Sequence, residues 1–232
     1  MKLSLVMPMY NADEVLAETI KGIQNQDYDN WELIVVNDGS TDSSDILMKY
    51  FVESDKRIKF IDRKVNKGIG YTRNEGNSYA TGDWIVVADA DDIWLPGRLK
   101  ETVKFIESNP DTDLVYGGMY WTSIFGNSIK EYWKPTPVTR EGLLKGEQGA
   151  LHGALAYRRD LGIKYRDEAK VNDDFWFIVD CWNADKKFGI IDKPLMGYRI
   201  LDTGASHVNY KKIQKDMKTK LKTLYIKERN GI

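Results

Sequence analysis

Three carboxylates arrive within four positions, at Asp89, Asp91 and Asp92, directly after the apolar run Ile85-Val86-Val87-Ala88. That run has the character of a buried parallel strand. Carboxylates gathered at such a strand end suit a hard divalent cation, Mn²⁺ or Mg²⁺, that also holds phosphate oxygens. Burying them unpaired would cost more than the strand gains. Residues two apart on an extended chain share a face, so Asp89 and Asp91 point into one cavity if strand geometry continues that far. The plainer alternative is an acidic surface turn whose aspartates cap the next helix.

Three further polar sets fall where other strands should end: Pro8-Met9-Tyr10-Asn11, Asn37-Asp38, and Asn66 followed by Arg73. Open parallel sheets bind ligands outside the carboxyl ends of their strands. A carboxylate such as Asp38 accepts hydrogen bonds from a base or ribose, and Arg73 contacts phosphate or secures the carboxylates. Together the four sets describe a nucleoside-diphosphate site. Neither familiar phosphate loop fits. Met7 to Asn11 lacks the glycines of a dinucleotide turn, and Gly68-Ile69-Gly70 lacks a Gly-Lys-Ser/Thr ending.

The elements that must hold these residues follow from periodicity. Leu3 to Met7 reads as a first strand stopped by Pro8, and Asn11 as the cap of a helix running to about Gln26. Trp31 to Val36 is a second strand, Ser43 to Val52 a helix, and Ile58 to Ile61 a third strand. The glycines of Asn66 to Gly70 suit a turn with unusual backbone angles, before a helix that carries Arg73 and Asn74. Pro96 takes the first position of a helix to about Ser108, and Leu114 to Tyr120 is another strand. Alternation of this kind predicts an α/β fold with a mostly parallel sheet. Beyond Tyr120 the rhythm breaks. Trp121 to Pro137 is irregular, Arg140 to Lys145 and Asn172 to Asn183 read as helices, and Phe188 to Ile191 and Leu195 to Arg199 as short strands.

Composition narrows the classes. With 232 residues, 42% apolar and 30% charged, one large α/β domain is the economical reading. A net charge of -1 supplies no positive field for nucleic acid. The single cysteine, Cys181, excludes an internal disulfide and fits a reducing compartment. No apolar run approaches a membrane span, and the short run at Leu3 resembles a strand rather than a signal segment. A cytoplasmic protein is expected. From Val208 the chain turns basic, with Ile213, Met217, Leu221 and Leu224 near one helical stripe. Such a helix docks on its own domain, pairs with a second subunit, or lies on an anionic membrane at the inner face of the cell.

The motifs resemble, in order and spacing, those of the nucleotide-sugar-dependent glycosyltransferases of family 2, which have the GT-A fold. The matching pieces are Val6 to Asn11, Gln26 to Asp42, Asn66 to Asn74 and Asp89 to Pro96. The resemblance implies a single GT-A domain over residues 1–207. Its nucleotide-sugar-binding half is 1–110 and its acceptor-binding half 111–207, with a Rossmann-like mostly parallel sheet, a smaller mixed sheet, and a basic C-terminal helix over 208–232. It implies that Pro8 and Tyr10 shape the nucleotide pocket, that Asp38 contacts a base, usually uracil, and that Asn66 and Arg73 lie near the nucleotide. Asp89 and Ala90 would approach the ribose or the metal shell. Asp91, with Asp89, would hold Mn²⁺ or Mg²⁺, and Asp92 would support the loop.

In the acceptor half the family carries an acidic pair before an apolar helix, and its aspartate is the general base. Asn172-Asp173-Asp174-Phe175 is the matching stretch here, and either aspartate fits; the offset before Phe175-Trp176 favours Asp173. The implied reaction is inverting transfer from a UDP-hexose or UDP-N-acetylhexosamine to a glycan or lipid-linked glycan. His152 would border the acceptor or fill the core. His207, after Tyr198-Arg199, would reach pyrophosphate or start the last helix. Trp121 and Trp133 are the better candidates for sugar stacking. Two other readings compete, a metal-dependent sugar nucleotidyltransferase and an inactive nucleotide-sugar-binding module. Release of UDP rather than pyrophosphate excludes the first, and metal-dependent turnover the second.

Overall fold

A computed structural model of the chain describes residues 1–123, 129–147, 149–167 and 172–199, with backbone alone at 129 and 130. His207 and the basic helix expected over 208–232 lie outside the described residues. Among the described residues nine strands form one sheet: β1 (Leu3–Met9), β2 (Trp31–Asp38), β3 (Ile58–Arg63), β4 (Trp84–Val87), β5 (Ile93–Trp94), β6 (Leu114–Thr122), β7 (Ile129–Trp133), β8 (Leu155–Arg158) and β9 (Phe188–Arg199). Their order is β3-β2-β1-β4-β8-β6-β9-β5, with β7 pairing β6. The first four are parallel. β8 is antiparallel to both β4 and β6, so β6 and its parallel neighbour β9 run in the direction of β4. The mixed part is thus a continuation of the parallel part.

Helices α1 (Leu16–Gln24), α2 (Ser44–Ser54) and α4 (Arg98–Ser108) cover one face, and α3 (Ile69–Ser78), α5 (Arg140–Lys145) and α6 (Asp173–Asn183) the other. Strand alternation sets this up. Leu3, Leu5, Met7 and Met9 join the core beneath α1, α2 and α4, while Val6, Ile34 and Val36 join the core with α6. Among the described residues no helix is long and apolar enough to cross a membrane.

Several local expectations shift for identifiable reasons. β1 continues through Pro8 to Met9, because Pro8 pairs with Val36 of β2 beyond the last β1–β4 pair at Val6 and Val87. Its missing N–H therefore faces a side where β4 has already ended. Asn11 does not cap α1. It adopts a left-handed φ of 47° and its Oδ1 accepts from the Thr41 N–H at 2.8 Å, tying the β1 and β2 loops together. Pro96 precedes α4 and Gly97 takes the left-handed capping position. The two short strands expected after Phe188 are one strand, β9, with register shifts near Gly118.

At the sheet end remote from the polar strand ends, Glu32 is buried. It accepts from Ser4 Oγ at 2.7 Å, the Thr81 N–H at 2.7 Å and Thr81 Oγ1 at 2.8 Å, and pairs with Lys2 and Lys59. Burial pushes its pKa up, but hydrogen bonds from Lys59, Ser4 and Thr81 outweigh it and hold the carboxyl well below the usual range. Because the native pKa is depressed, this stabilisation is present above the unfolded pKa and is lost as pH falls towards the native one. Glu32→Ala should cost about 2–4 kcal/mol at pH 7, mostly through the stranded Ser4 and Thr81 donors, since both lysines are solvent-screened. Urea denaturation at pH 7 and at pH 3 checks this. The loss should shrink at the lower pH.

Candidate active site

The acidic loop follows β4 directly. Strand geometry stops at Val87, and a turn at Ala90-Asp91 rather than pleat alternation arranges the carboxylates. Ala90 and Asp92 are buried, whereas Asp89 and Asp91 are partly exposed. Thr19 Oγ1 of α1 donates to the Asp92 carbonyl at 2.8 Å and so pins the loop's far end.

Arg73 is the centre of the cluster. It is 4% exposed, and its Nη2 lies 2.9 Å from Asp89 Oδ1 while its Nε donates to Asp173 Oδ2 at 2.9 Å. One guanidinium therefore joins the loop after β4 to the start of α6, whose Asp173 lies a hundred residues beyond Arg73 in sequence. A glycine makes this reach possible. A Cβ on Gly76 would come within 2.5 Å of Val6 Cγ1 and 3.4 Å of Val36 Cγ2, so α3 can lie close on the sheet only with glycine there. Burial works against the Arg73 cation, but Asp89 and Asp173 outweigh it and raise its pKa further.

Opposing effects divide the three loop carboxylates. Burial, the largest single effect, raises Asp89, yet Arg73 through its charge and hydrogen bond, together with His152 and Arg98, outweighs it and the net direction is down. Asp91 is pushed up to about 6 by burial and then by the charge of Asp89. Asp92 rises well above the usual range for the same two reasons, with Asp91 adding to them. Among the described residues no other side chain or backbone group hydrogen-bonds or ion-pairs with the Asp91 carboxylate. Arg199 and Arg73 attract this carboxylate but do not offset its burial and the crowding by Asp89, so it is a site that a cation would relieve. No group of three or more His, Cys, Asp or Glu side chains forms a metal cage among the described residues. A donor set of one or two carboxylates fits Mn²⁺ or Mg²⁺ only if phosphate and water complete the shell, as is usual for Mg²⁺ at nucleotide sites.

Asp38 ends β2 in a pocket of its own. It is 5% exposed and accepts from Arg63, from the Lys67 N–H at 2.7 Å and from the Gly68 N–H at 3.0 Å. Arg63 also meets Thr72 Oγ1 at 2.6 Å, next to Arg73 on α3. The Asp38 pocket and the Arg73 cluster are thus neighbours along one helix. Asn66 caps the turn, its Oδ1 accepting from the Gly68 N–H at 3.2 Å. Gly39 approaches that turn so closely that a Cβ would lie 2.9 Å from the Asn66 nitrogen. Pro8 lies at the end of β1, and Tyr10 just beyond it is 53% exposed.

Asp173 and Asp174 open α6, where their charge complements the helix dipole. Asn172 holds the cap position, so neither aspartate is the cap. Asp173 is 5% exposed and pairs with Arg73; Asp174 is partly exposed. His152 is buried, with Nε2 2.9 Å from the Tyr165 hydroxyl. Burial and then Arg73 lower its pKa, so the ring is neutral at pH 7. Tyr165 in turn stacks on Phe177 of α6, with centroids 4.3 Å apart. Trp121 and Trp133 meet edge to face at 5.6 Å on the β6–β7 hairpin, and Trp133 stays 49% exposed. Trp94, Trp176 and Trp182 are core residues.

Arg63 and Tyr165 were missed by sequence reasoning. The available signal for Arg63 was its place ending β3, in register with Asp38. Nothing local marks Tyr165, which reaches the site through topology alone.

The protein comparisons agree with this architecture. An uncharacterized glycosyltransferase of Methanocaldococcus jannaschii is 34% identical over 204 residues, 85% of this chain and 70% of that protein. Staphylococcus aureus TarS 1–349 in complex with UDP-GlcNAc superposes with a TM-score of 0.71 at 20% identity, over 88% of this chain and 60% of that one. The Pyrobaculum calidifontis mannosyltransferase PcManGT, in complex with GDP-Man and Mn²⁺, gives 0.69 at 18% identity, over 92% and 60%. At these identities the two structures speak for the fold, and this chain spans about three-fifths of their length. The family model for glycosyl transferase family 2 matches residues 4–165. The chain belongs to glycosyl transferase family 2.

Proposed function

We infer that the protein is an inverting transferase. It moves a hexose or N-acetylhexosamine from a UDP-sugar to a hydroxyl of a glycan or lipid-linked glycan. The observation that carries this reading is the double engagement of Arg73 with Asp89 of the acidic loop and Asp173 of α6. Residues 1–110 bind the donor in this reading and 111–207 the acceptor. Asp38 takes the base, using the lone-pair capacity left after its bonds to Arg63, Lys67 and Gly68. Pro8, Tyr10 and Asn66 wall that pocket, and Asp89 with Ala90 meets the ribose side. Asp173 accepts the proton of the acceptor hydroxyl as its oxygen attacks the anomeric carbon opposite the leaving diphosphate. Arg73, whose Nε donates to Asp173 Oδ2, holds that carboxylate oriented for the task. A divalent cation held by Asp91 and Asp89 would supply Lewis-acid stabilisation of the departing diphosphate.

UDP rather than another nucleotide is supported by the UDP-GlcNAc named with TarS, and Mn²⁺ by the ion named with PcManGT. A soluble donor and a chain with a single cysteine, Cys181, accord with a cytoplasmic reaction. The test is a panel of UDP- and GDP-sugars with Mn²⁺, followed by an array of glycan acceptors. Expected are metal-dependent release of the nucleoside diphosphate and a product of inverted anomeric configuration. Pyrophosphate release would overturn the reading in favour of a nucleotidyltransferase, and retained configuration would overturn the single-displacement mechanism.

A further inference from the structure

Arg98 opens α4 from inside the protein. It is 1% exposed, and its guanidinium lies 3.8 Å over the Trp94 ring. Nη2 donates to two carbonyls, those of Val87 and Gly153, each at 2.7 Å. Both carbonyls stand where the β4–β8 ladder gives out, just past the last pair at Val86 and Ala156. Val87 is the residue from which the acidic loop departs. Gly153 is the middle residue of a short 3₁₀ turn, His152–Ala154, whose His152 leads through Tyr165 to Phe177 on α6. The fork between the two strands is thus closed by one side chain that touches the donor half on one side and the acceptor half on the other.

The same guanidinium faces the loop's last aspartate. Asp92 is 1% exposed, its Oδ2 has no hydrogen-bond partner among the described residues, and neither has Arg98 Nη1. Asp92 and Arg98 attract each other across this gap. Gly153 leaves room there: a Cβ at that position would lie 3.0 Å from Asp92 Oδ2. Burial lowers Arg98 only to about 10, so it remains a cation at neutral pH. An ordinary core contact needs neither a full charge nor two backbone acceptors on opposite sides of a strand fork.

We propose that Arg98 is a positioning residue for sugar transfer: through the Val87 carbonyl and the Asp92 carboxylate it fixes the height of the acidic loop at which Asp91 can share a cation with a nucleoside diphosphate. The proposal rests on the donor-site reading given above. Arg98 does not touch the substrate. Lysine retains the charge, and its one nitrogen can donate to carbonyls as Nη2 does, but it has no planar group to stack on Trp94 and no second nitrogen to match Nη1, so it does not hold the loop in the same place.

The test measures UDP binding by calorimetry with and without Mn²⁺, on wild type and on Arg98→Lys, with GDP in parallel. Wild type should bind the preferred nucleotide at least about tenfold more tightly with Mn²⁺. Arg98→Lys should keep its metal-free affinity within about threefold, because the Asp38 pocket is untouched, while the Mn²⁺ enhancement falls below about twofold. A folded Arg98→Lys with the full enhancement overturns the proposal and leaves Arg98 a packing residue. Should Arg98→Lys fail to fold, Trp94→Phe, which reduces the surface under the guanidinium, should give a partial loss of enhancement. An unchanged value there overturns the proposal equally. A wild type with no Mn²⁺ enhancement for either nucleotide would instead bring down the donor-site reading itself.

Discussion

Asp173→Asn is expected to lower sugar transfer by about 10²–10⁴-fold, the range of a general base, while UDP affinity changes by less than about threefold. Asparagine keeps the shape and can still accept from Arg73 Nε, which donates to Asp173 Oδ2 at 2.9 Å in the wild type. It cannot take a proton from an acceptor hydroxyl. The choice of asparagine over alanine matters, because stranding Arg73 beside an empty space would cost about 3–5 kcal/mol and confuse stability with catalysis. Asp174→Asn is the matched control. Asp174 is less buried and is not the residue paired with Arg73, so its transfer rate should stay within about threefold. Initial rates with a saturating acceptor, and donor hydrolysis without acceptor, give the comparison. Wild-type transfer by Asp173→Asn would remove Asp173 as base. Collapse in Asp174→Asn alone would move the role one residue along the helix.

The parts of the site that were legible in sequence are those in which chemistry and local structure coincide. Asp89, Asp91 and Asp92 follow a strand whose apolar character is unmistakable, and Asp38 and Arg73 lie next to turns with glycines that only a close backbone approach requires. What was not legible depends on register and on long-range topology. Arg63 faces Asp38 because β2 and β3 pair in parallel with those two residues opposite, a fact that hydrophobic pattern alone does not fix. Arg98 reads in sequence as the first turn of an amphipathic helix. Its Gly153 partner is in reach only because β8, more than fifty residues later, inserts beside β4 and then leaves it. Proline at position 8 misleads in the same way. It stops a strand only where its missing N–H is needed, and β4 is too short to need it. The irregular second half resisted reading because its strands enter the sheet out of sequence order, so neither alternation nor spacing marks their neighbours.

Asp91→Asn should abolish metal-dependent transfer, by at least about 10²-fold, and should stabilise the metal-free protein above pH 6. The sign follows from the environment of the carboxyl. Burial and the charge of Asp89 push Asp91 up to about 6, against an unfolded value of about 3.9. A raised acid is easier to keep protonated in the native state, so the fold loses stability as pH rises from about 4 to 6 and stays at the lower level above. That loss is about 2–3 kcal/mol at most, reduced by whatever solvent reaches the partly exposed side chain. Asparagine carries no charge to penalise. Its melting temperature at pH 8 should exceed that of the metal-free wild type by a few degrees, and the difference should vanish near pH 4. Mn²⁺ with UDP should reverse the order at pH 8, because a cation satisfies the two crowded carboxylates only when both are present, and this gain should fade in the wild type as pH drops below 6 and protons compete. Calorimetric melting at pH 4, 6 and 8, with and without Mn²⁺ and UDP, reads all of these. An Asp91→Asn protein that is less stable than wild type at pH 8 without metal, or that keeps the full Mn²⁺ response, would show that Asp91 is held by the fold and that the cation is bound by other groups. The stability given up at Asp91 is, on this argument, what leaves the loop able to bind a cation and release it with the spent nucleotide.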